Sequence, residues 1–111
     1  MTEETIEEGK VPAIIGYLTI IGVIIAYFMN DKSKNPFAYF HIRQSLGLWI
    51  TFFAMGLVIS NLDSWFATLG FYMFFGVLFV YSFMTAVSGR MDAAPLVGRL
   101  YQKLFANLGK Q

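Results

Sequence analysis

His41 is the single histidine of the chain and the residue with the widest chemical reach, because imidazole titrates near neutral pH and can ligate metals. On a helical wheel drawn over residues 36–55, His41, Gln44, Thr51 and Met55 share a stripe with Phe37 and Leu48. Ile42, Leu46, Trp49 and Phe53 fall on the other side. Two kinds of chemistry fit such a stripe. One is a proton-sensitive or ligand-contacting group centred on His41. The other is structural: donors and acceptors that satisfy each other where helices meet, each bond contributing on the order of 0.6–2 kcal/mol. The structural use is the commoner one in apolar surroundings, and it is the expectation adopted for this stripe.

Catalytic constellations fail by elimination. A lone imidazole supplies no second ligand of its kind, and Asp31, the nearest acid in sequence, gives no metal-ligand spacing. There is no cysteine, which removes thiolate chemistry and cysteine-held metal centres. Asp63 is expected on the opposite side of the membrane from His41, so a Ser-His-Asp arrangement would have to reach through the bilayer. No glycine-rich phosphate loop occurs, and the uncharged segments carry no ionisable relay of the kind pumps use. The expectation is a protein that is not an enzyme and holds no cofactor or metal.

The elements that position the stripe follow from charge patterning. Hydrophobic residues make up 57% of the 111 positions and mean hydropathy is +0.58, against roughly 45–50% apolar usage in soluble domains. No Asp, Glu, Lys or Arg occurs between Val11 and Asn30, between Gln44 and Leu62, or between Ser64 and Gly89. Each block has the roughly 20 residues needed to cross about 30 Å of hydrocarbon. The expected architecture is an all-α integral membrane protein in one domain. Residues 1–11 form an acidic tail, 12–29 a first span, 36–60 an interfacial entry and second span, and 65–87 a third span. Pro12 suits a first helical turn, and Asn35-Pro36 reads as an N-cap followed by proline at the first helical position. Residues 95–109 form an amphipathic helix in the interface, with Leu96, Val97, Leu100, Tyr101, Leu104, Phe105 and Leu108 on one half of the wheel. Arg99, Gln102, Lys103 and Lys110 take the other half.

Basic residues set the orientation. Lys32, Lys34 and Arg43 flank the first connection and Arg90, Arg99, Lys103 and Lys110 lie in the tail, against Lys10 alone before the first span. The expected topology places the N-terminus outside and the tail in the cytoplasm. A third span descending to that side brings Tyr81, Ser82 and Thr85 to the depth of His41 and Gln44, with Thr51 above them, as a polar cluster at one end of the bundle. Arg43, Arg99 and Lys103 are candidate anchors to the membrane surface. The small-residue pairs Gly56 with Ser60 and Thr85 with Gly89 suit close helix approach.

The segment from Lys34 to Leu48 carries Asn35-Pro36-Phe37 followed by Phe40-His41, one residue, and Arg43-Gln44. It resembles the signature of a small bacterial membrane family labelled import-component-like, related to the Tic-twenty component of the chloroplast inner-envelope import machinery. The resemblance extends from the first apolar segment to the proline-and-basic stretch at Pro95 to Arg99. It implies a multi-pass protein of the bacterial inner (cytoplasmic) membrane. One departure stands out: the plant proteins are described with four crossings, whereas the last segment here carries Arg99 and Lys103 and suits the interface.

Three functions follow as expectations. The first is a non-enzymatic accessory or structural subunit of a bacterial inner-membrane assembly connected with transport. Its partners would be the lipid bilayer and a membrane protein or further copies of itself, with no nucleic acid. The second is a small oligomeric channel or transporter lined by the His41/Gln44 stripe, which requires that stripe to face a shared path. The third is a lipid-responsive, membrane-shaping protein that uses its basic amphipathic tail as a sensor.

Overall fold

The structure is a computed structural model that describes residues 2–107. Among the described residues every regular element is α-helical: α1 (Glu3–Leu18), α2 (Ile20–Met29), α3 (Pro36–Ser60), α4 (Trp65–Val87) and α5 (Gly98–Leu104). Two of these, α3 and α4, are long and apolar enough to cross a membrane.

Local chemistry sets each boundary. Thr2 caps α1 by accepting from the Thr5 amide at 3.1 Å, and Glu3 and Glu4 oppose the positive end of the helix dipole. The acidic segment is therefore helical, and Pro12 lies inside α1 rather than in a first turn. α1 stops because Thr19 is extended (φ −155°, ψ 166°), and its hydroxyl at once caps α2 by accepting from Gly22 N at 2.9 Å. A Cβ on Gly22 would collide with the Ile15 carbonyl, so glycine lets α2 fold back against the end of α1. α3 begins on the Asn35 cap, which accepts from Ala38 N at 3.1 Å, with Pro36 in the first turn. Ser64 caps α4. α4 ends in a Schellman turn: Gly89 takes φ +77°, Gly89 N donates to Ala86 O at 3.2 Å, and Arg90 N donates to Thr85 O at 2.8 Å.

These boundaries divide the expected first span. Residues 12–29 are not one helix but the end of α1, the break at Thr19 and all of α2. α2 has 10 residues, about 15 Å of helix, half of what a bilayer core needs. α1 runs parallel to α3, with Asn35 Nδ2 donating to Thr5 O at 2.7 Å at one end and Trp49 Nε1 donating to Gly16 O at 3.0 Å further along. α2 then returns to the starting end. There Asn30 and Asn35 are joined by two reciprocal hydrogen bonds of 3.0 Å.

The N-terminal segment and the chain after α4, expected on opposite sides of a membrane, lie together in the fold. An added Cβ on Gly89 would lie 3.0 Å from Ile6 and 3.4 Å from Lys10, so the start of α1 sits against the end of α4. The N-terminal segment, the 30–35 connection and the chain after α4 all occupy one end. Among the described residues the other end is the α3–α4 hairpin alone, closed by residues 61–64. Its seam is aromatic: Phe52 stacks on Phe71 at 5.1 Å and meets Phe75 edge-on at 5.7 Å, and Trp49 lies 4.6 Å from Phe79. The whole extends 47 × 23 × 22 Å.

Candidate functional site

The polar stripe of α3 is buried where α1, α3, α4 and the chain after α4 meet. His41, Gln44, Ser45, Ser82 and Thr85 have no solvent exposure. His41 is held from both sides: the Tyr17 hydroxyl lies 2.6 Å from Nδ1, and Nε2 lies 2.7 Å from the Arg90 carbonyl oxygen. A carbonyl only accepts, so Nε2 carries the proton and Nδ1 accepts from Tyr17. Gln44 completes the chain of bonds, donating from Nε2 to the Tyr17 oxygen at 2.9 Å and accepting from Ala94 N on Oε1 at 2.6 Å. Phe37, Phe40 and Tyr17 place their rings edge-on around the imidazole, at 4.8, 5.1 and 5.5 Å.

Each contact traces to a local cause. The Schellman turn at Gly89 aims the Arg90 carbonyl back at α3. Gly16 lets α1 approach closely enough for Tyr17 to reach in, since a Cβ there would stand 2.7 Å from Ser45 Oγ. Gly98 does the same beside Gln44, where a Cβ would lie 2.7 Å from Oε1.

The expected cluster is thus assembled in part. His41 and Gln44 are its centre. Ser82 is buried facing the Tyr17 phenol, yet among the described residues its Oγ is the one buried side-chain polar atom without a hydrogen-bond partner. Thr85 is buried but bonds back to Ser82 O in its own helix at 2.8 Å. Thr51 belongs to a second node, where it accepts from the Tyr101 hydroxyl at 2.7 Å. Burial raises the Tyr101 phenol above its ordinary pKa, an effect partly opposed by that bond. Tyr81 is exposed on the outer face of α4 and takes no part.

Among the signature residues, Asn35 caps α3 and ties it to α1, Pro36 opens the helix, and Phe37 and Phe40 wall the imidazole. Arg43 is corrected from an outward anchor to a clamp on α5: its Nε donates to Gln102 Oε1 at 2.7 Å, and Gln102 Nε2 donates to Phe40 O at 2.9 Å. α5 consequently turns Gly98, Tyr101 and Gln102 to α3, the Tyr101 ring filling the notch left by Gly47, and leaves Leu96, Leu100 and Leu104 exposed. Arg99 and Lys103 are exposed as expected of surface cations. Leu108 and Lys110 lie outside the described residues.

Tyr17 and the main chain of residues 90–94 escaped the sequence reading, and Gln102, read there as part of the polar half of the last helix, docks on α3 instead. A phenol in the middle of an uncharged run was a signal for Tyr17. The carbonyls after α4 have no side-chain signature. Among the described residues no group of three or more His, Asp or Glu could hold a metal ion. Comparison with protein-family models, with curated proteins and with solved structures finds no match.

Proposed function

We propose that this chain is a membrane-embedded, non-catalytic accessory subunit that crosses the bilayer twice through α3 and α4. The observation that carries the reading is where polarity sits. His41, Gln44 and Tyr17 direct their hydrogen bonds to one another and to the main chain, buried inside one copy. The outer surface of α3 and α4 is apolar: Ile50, Phe53, Leu57, Val58, Phe66, Met73 and Val77 are all exposed. Only 28% and 22% of the two apolar windows is buried, the reverse of a core helix in a water-soluble fold.

The uncharged run from Gln44 to Leu62 holds the last 17 residues of α3, about 26 Å of helix, close to the hydrocarbon thickness. Arg43 then marks one boundary, and the basic residues Lys10, Lys32, Lys34, Arg90, Arg99 and Lys103 gather toward that end, the cytoplasmic side by the positive-inside rule. The tip at Thr19 reaches only the level of Trp49, so α1 and α2 form a hairpin that enters one leaflet and returns. The resemblance of the 34–48 segment supports a bacterial inner membrane as the setting.

A channel lined by His41 and Gln44 is disfavoured, because the stripe that several copies would have to share faces inward within each copy. Two measurements on the full chain test the proposal. It should stay in the membrane fraction through alkaline carbonate extraction, and affinity purification in mild detergent should recover a stoichiometric membrane-protein partner or a homo-oligomer. Release by carbonate, or a free monomer as the sole species, would overturn it.

A further inference from the structure

Two hollows on the outside of α4 share one residue, Tyr81. Toward the basic end lies a cavity of about 710 Å³ bounded by Tyr81, Met91, Asp92, Leu96, Arg99 and the chain at 93–95. Toward the far end an apolar groove of about 520 Å³ runs along Met73, Gly76, Val77, Val80 and Tyr81. Gly76 deepens the groove, with nothing within 4 Å of the position a Cβ would take.

The charges in the cavity are not equivalent. Asp92 is paired with Arg90 at 3.4 Å. The Arg99 guanidinium has no ion-pair or hydrogen-bond partner among the described residues. Leu96 beside it takes φ +71° and is 88% exposed, an arrangement that holds an apolar side chain out at the rim of a polar cavity. The hollow is therefore cationic at one end and apolar along the other. Its cationic end lies at the hydrocarbon boundary and its apolar end extends toward the bilayer centre.

We propose that this paired hollow binds one anionic phospholipid, its phosphate on Arg99 and one acyl chain along Gly76 and Val77. The inference rests on the membrane reading above and adds a specific ligand to it. Guanidinium matches phosphate in charge and in bidentate geometry. Tyr81 stands where the two chemistries meet, the position its amphipathic ring favours at a membrane interface.

Native mass spectrometry of the full chain in detergent tests this, with phosphatidylglycerol and phosphatidylcholine of identical acyl chains as probes. One phosphatidylglycerol should be retained per chain, with about fivefold preference over phosphatidylcholine. Excess soluble glycerol phosphate should not displace it, since the headgroup alone leaves the groove empty. Arg99→Gln should remove the preference, and Gly76→Phe should remove retention of both lipids while leaving the thermal midpoint unchanged, because the position is open. Lys32→Gln, which removes an exposed cation outside the cavity lining, should leave the preference intact. Equal retention of the two lipids, displacement by glycerol phosphate, a preference that survives Arg99→Gln, or retention that survives Gly76→Phe would each overturn the site. Carbonate extraction of the same membranes reports integration separately, so loss of the lipid site is distinguishable from loss of the membrane reading.

Discussion

At the scale of residues, the informative contrast is between buried polar groups that are satisfied and one that is not. The Tyr17 hydroxyl serves both His41 and Gln44, so Tyr17→Phe leaves two buried groups short of a partner. Stability should fall by about 1–3 kcal/mol. Thermal unfolding in detergent measures this, and a change below about 0.5 kcal/mol would show that the network adds nothing. Ser82 offers the opposite case. Among the described residues its Oγ has no hydrogen-bond partner, so Ser82→Ala removes a desolvated hydroxyl and should be neutral or stabilising in the same assay. If both variants behaved alike, the hydrogen bonds assigned to His41 and Gln44 would not be what stabilises this end of the bundle.

At the scale of elements, α5 is the piece most dependent on its docking. Seven residues cannot hold a helix alone, so α5 rests on the Gly47 notch, the Arg43–Gln102 bond and the Tyr101–Thr51 bond. Gly47→Ala places a Cβ against the Tyr101 ring and should cost about 1–3 kcal/mol, visible as faster limited proteolysis after α4. Gly70→Ala meets nothing within 4 Å and should instead stabilise by about 0.5–1 kcal/mol through helix propensity. Docking of α5 should also weaken in alkali. The Tyr101 pKa is raised in the folded state, so the neutral phenol contributes fully below the ordinary phenol value near 10, and the contribution is lost as pH rises through the folded value. Tyr101→Phe should abolish that alkaline dependence of tail proteolysis.

At the scale of the whole molecule, five helices among the described residues crowd one end and two continue to the other. That asymmetry makes topology the decisive measurement, and the absence of cysteine makes it clean. Single substitutions Glu4→Cys, Ser33→Cys and Met91→Cys place thiols on exposed positions of the crowded end, and Asn61→Cys places one on the hairpin tip. The first three should react with an impermeant maleimide from one side of sealed vesicles and the fourth from the other. Labelling of Glu4→Cys together with Asn61→Cys would restore a full crossing between residues 12 and 29 and sink the one-leaflet hairpin.

Much of the architecture was legible because it depends on short-range chemistry. Apolar runs that follow Asn35-Pro36 and Ser64 define α3 and α4, since a cap, a proline and a hydrophobic run act within one or two turns. The stripe of His41 and Gln44 was legible for the same reason, being a property of one helix. The first apolar segment was not, because length and hydropathy measure reach but not direction. Residues 12–29 are long enough to cross, yet Thr19 can end one helix and cap the next, and only packing against α3 decides between going on and turning back. The partners of His41 were equally hidden. A tyrosine 24 positions away and a main-chain carbonyl 49 positions away become neighbours through the Gly16 crossing and the Gly89 turn. The sequence by itself determined which residues shun water and where helices start. Tertiary structure decided that the polar stripe closes on itself, because hydrogen bonds in an apolar interior go to whichever groups the fold brings within reach.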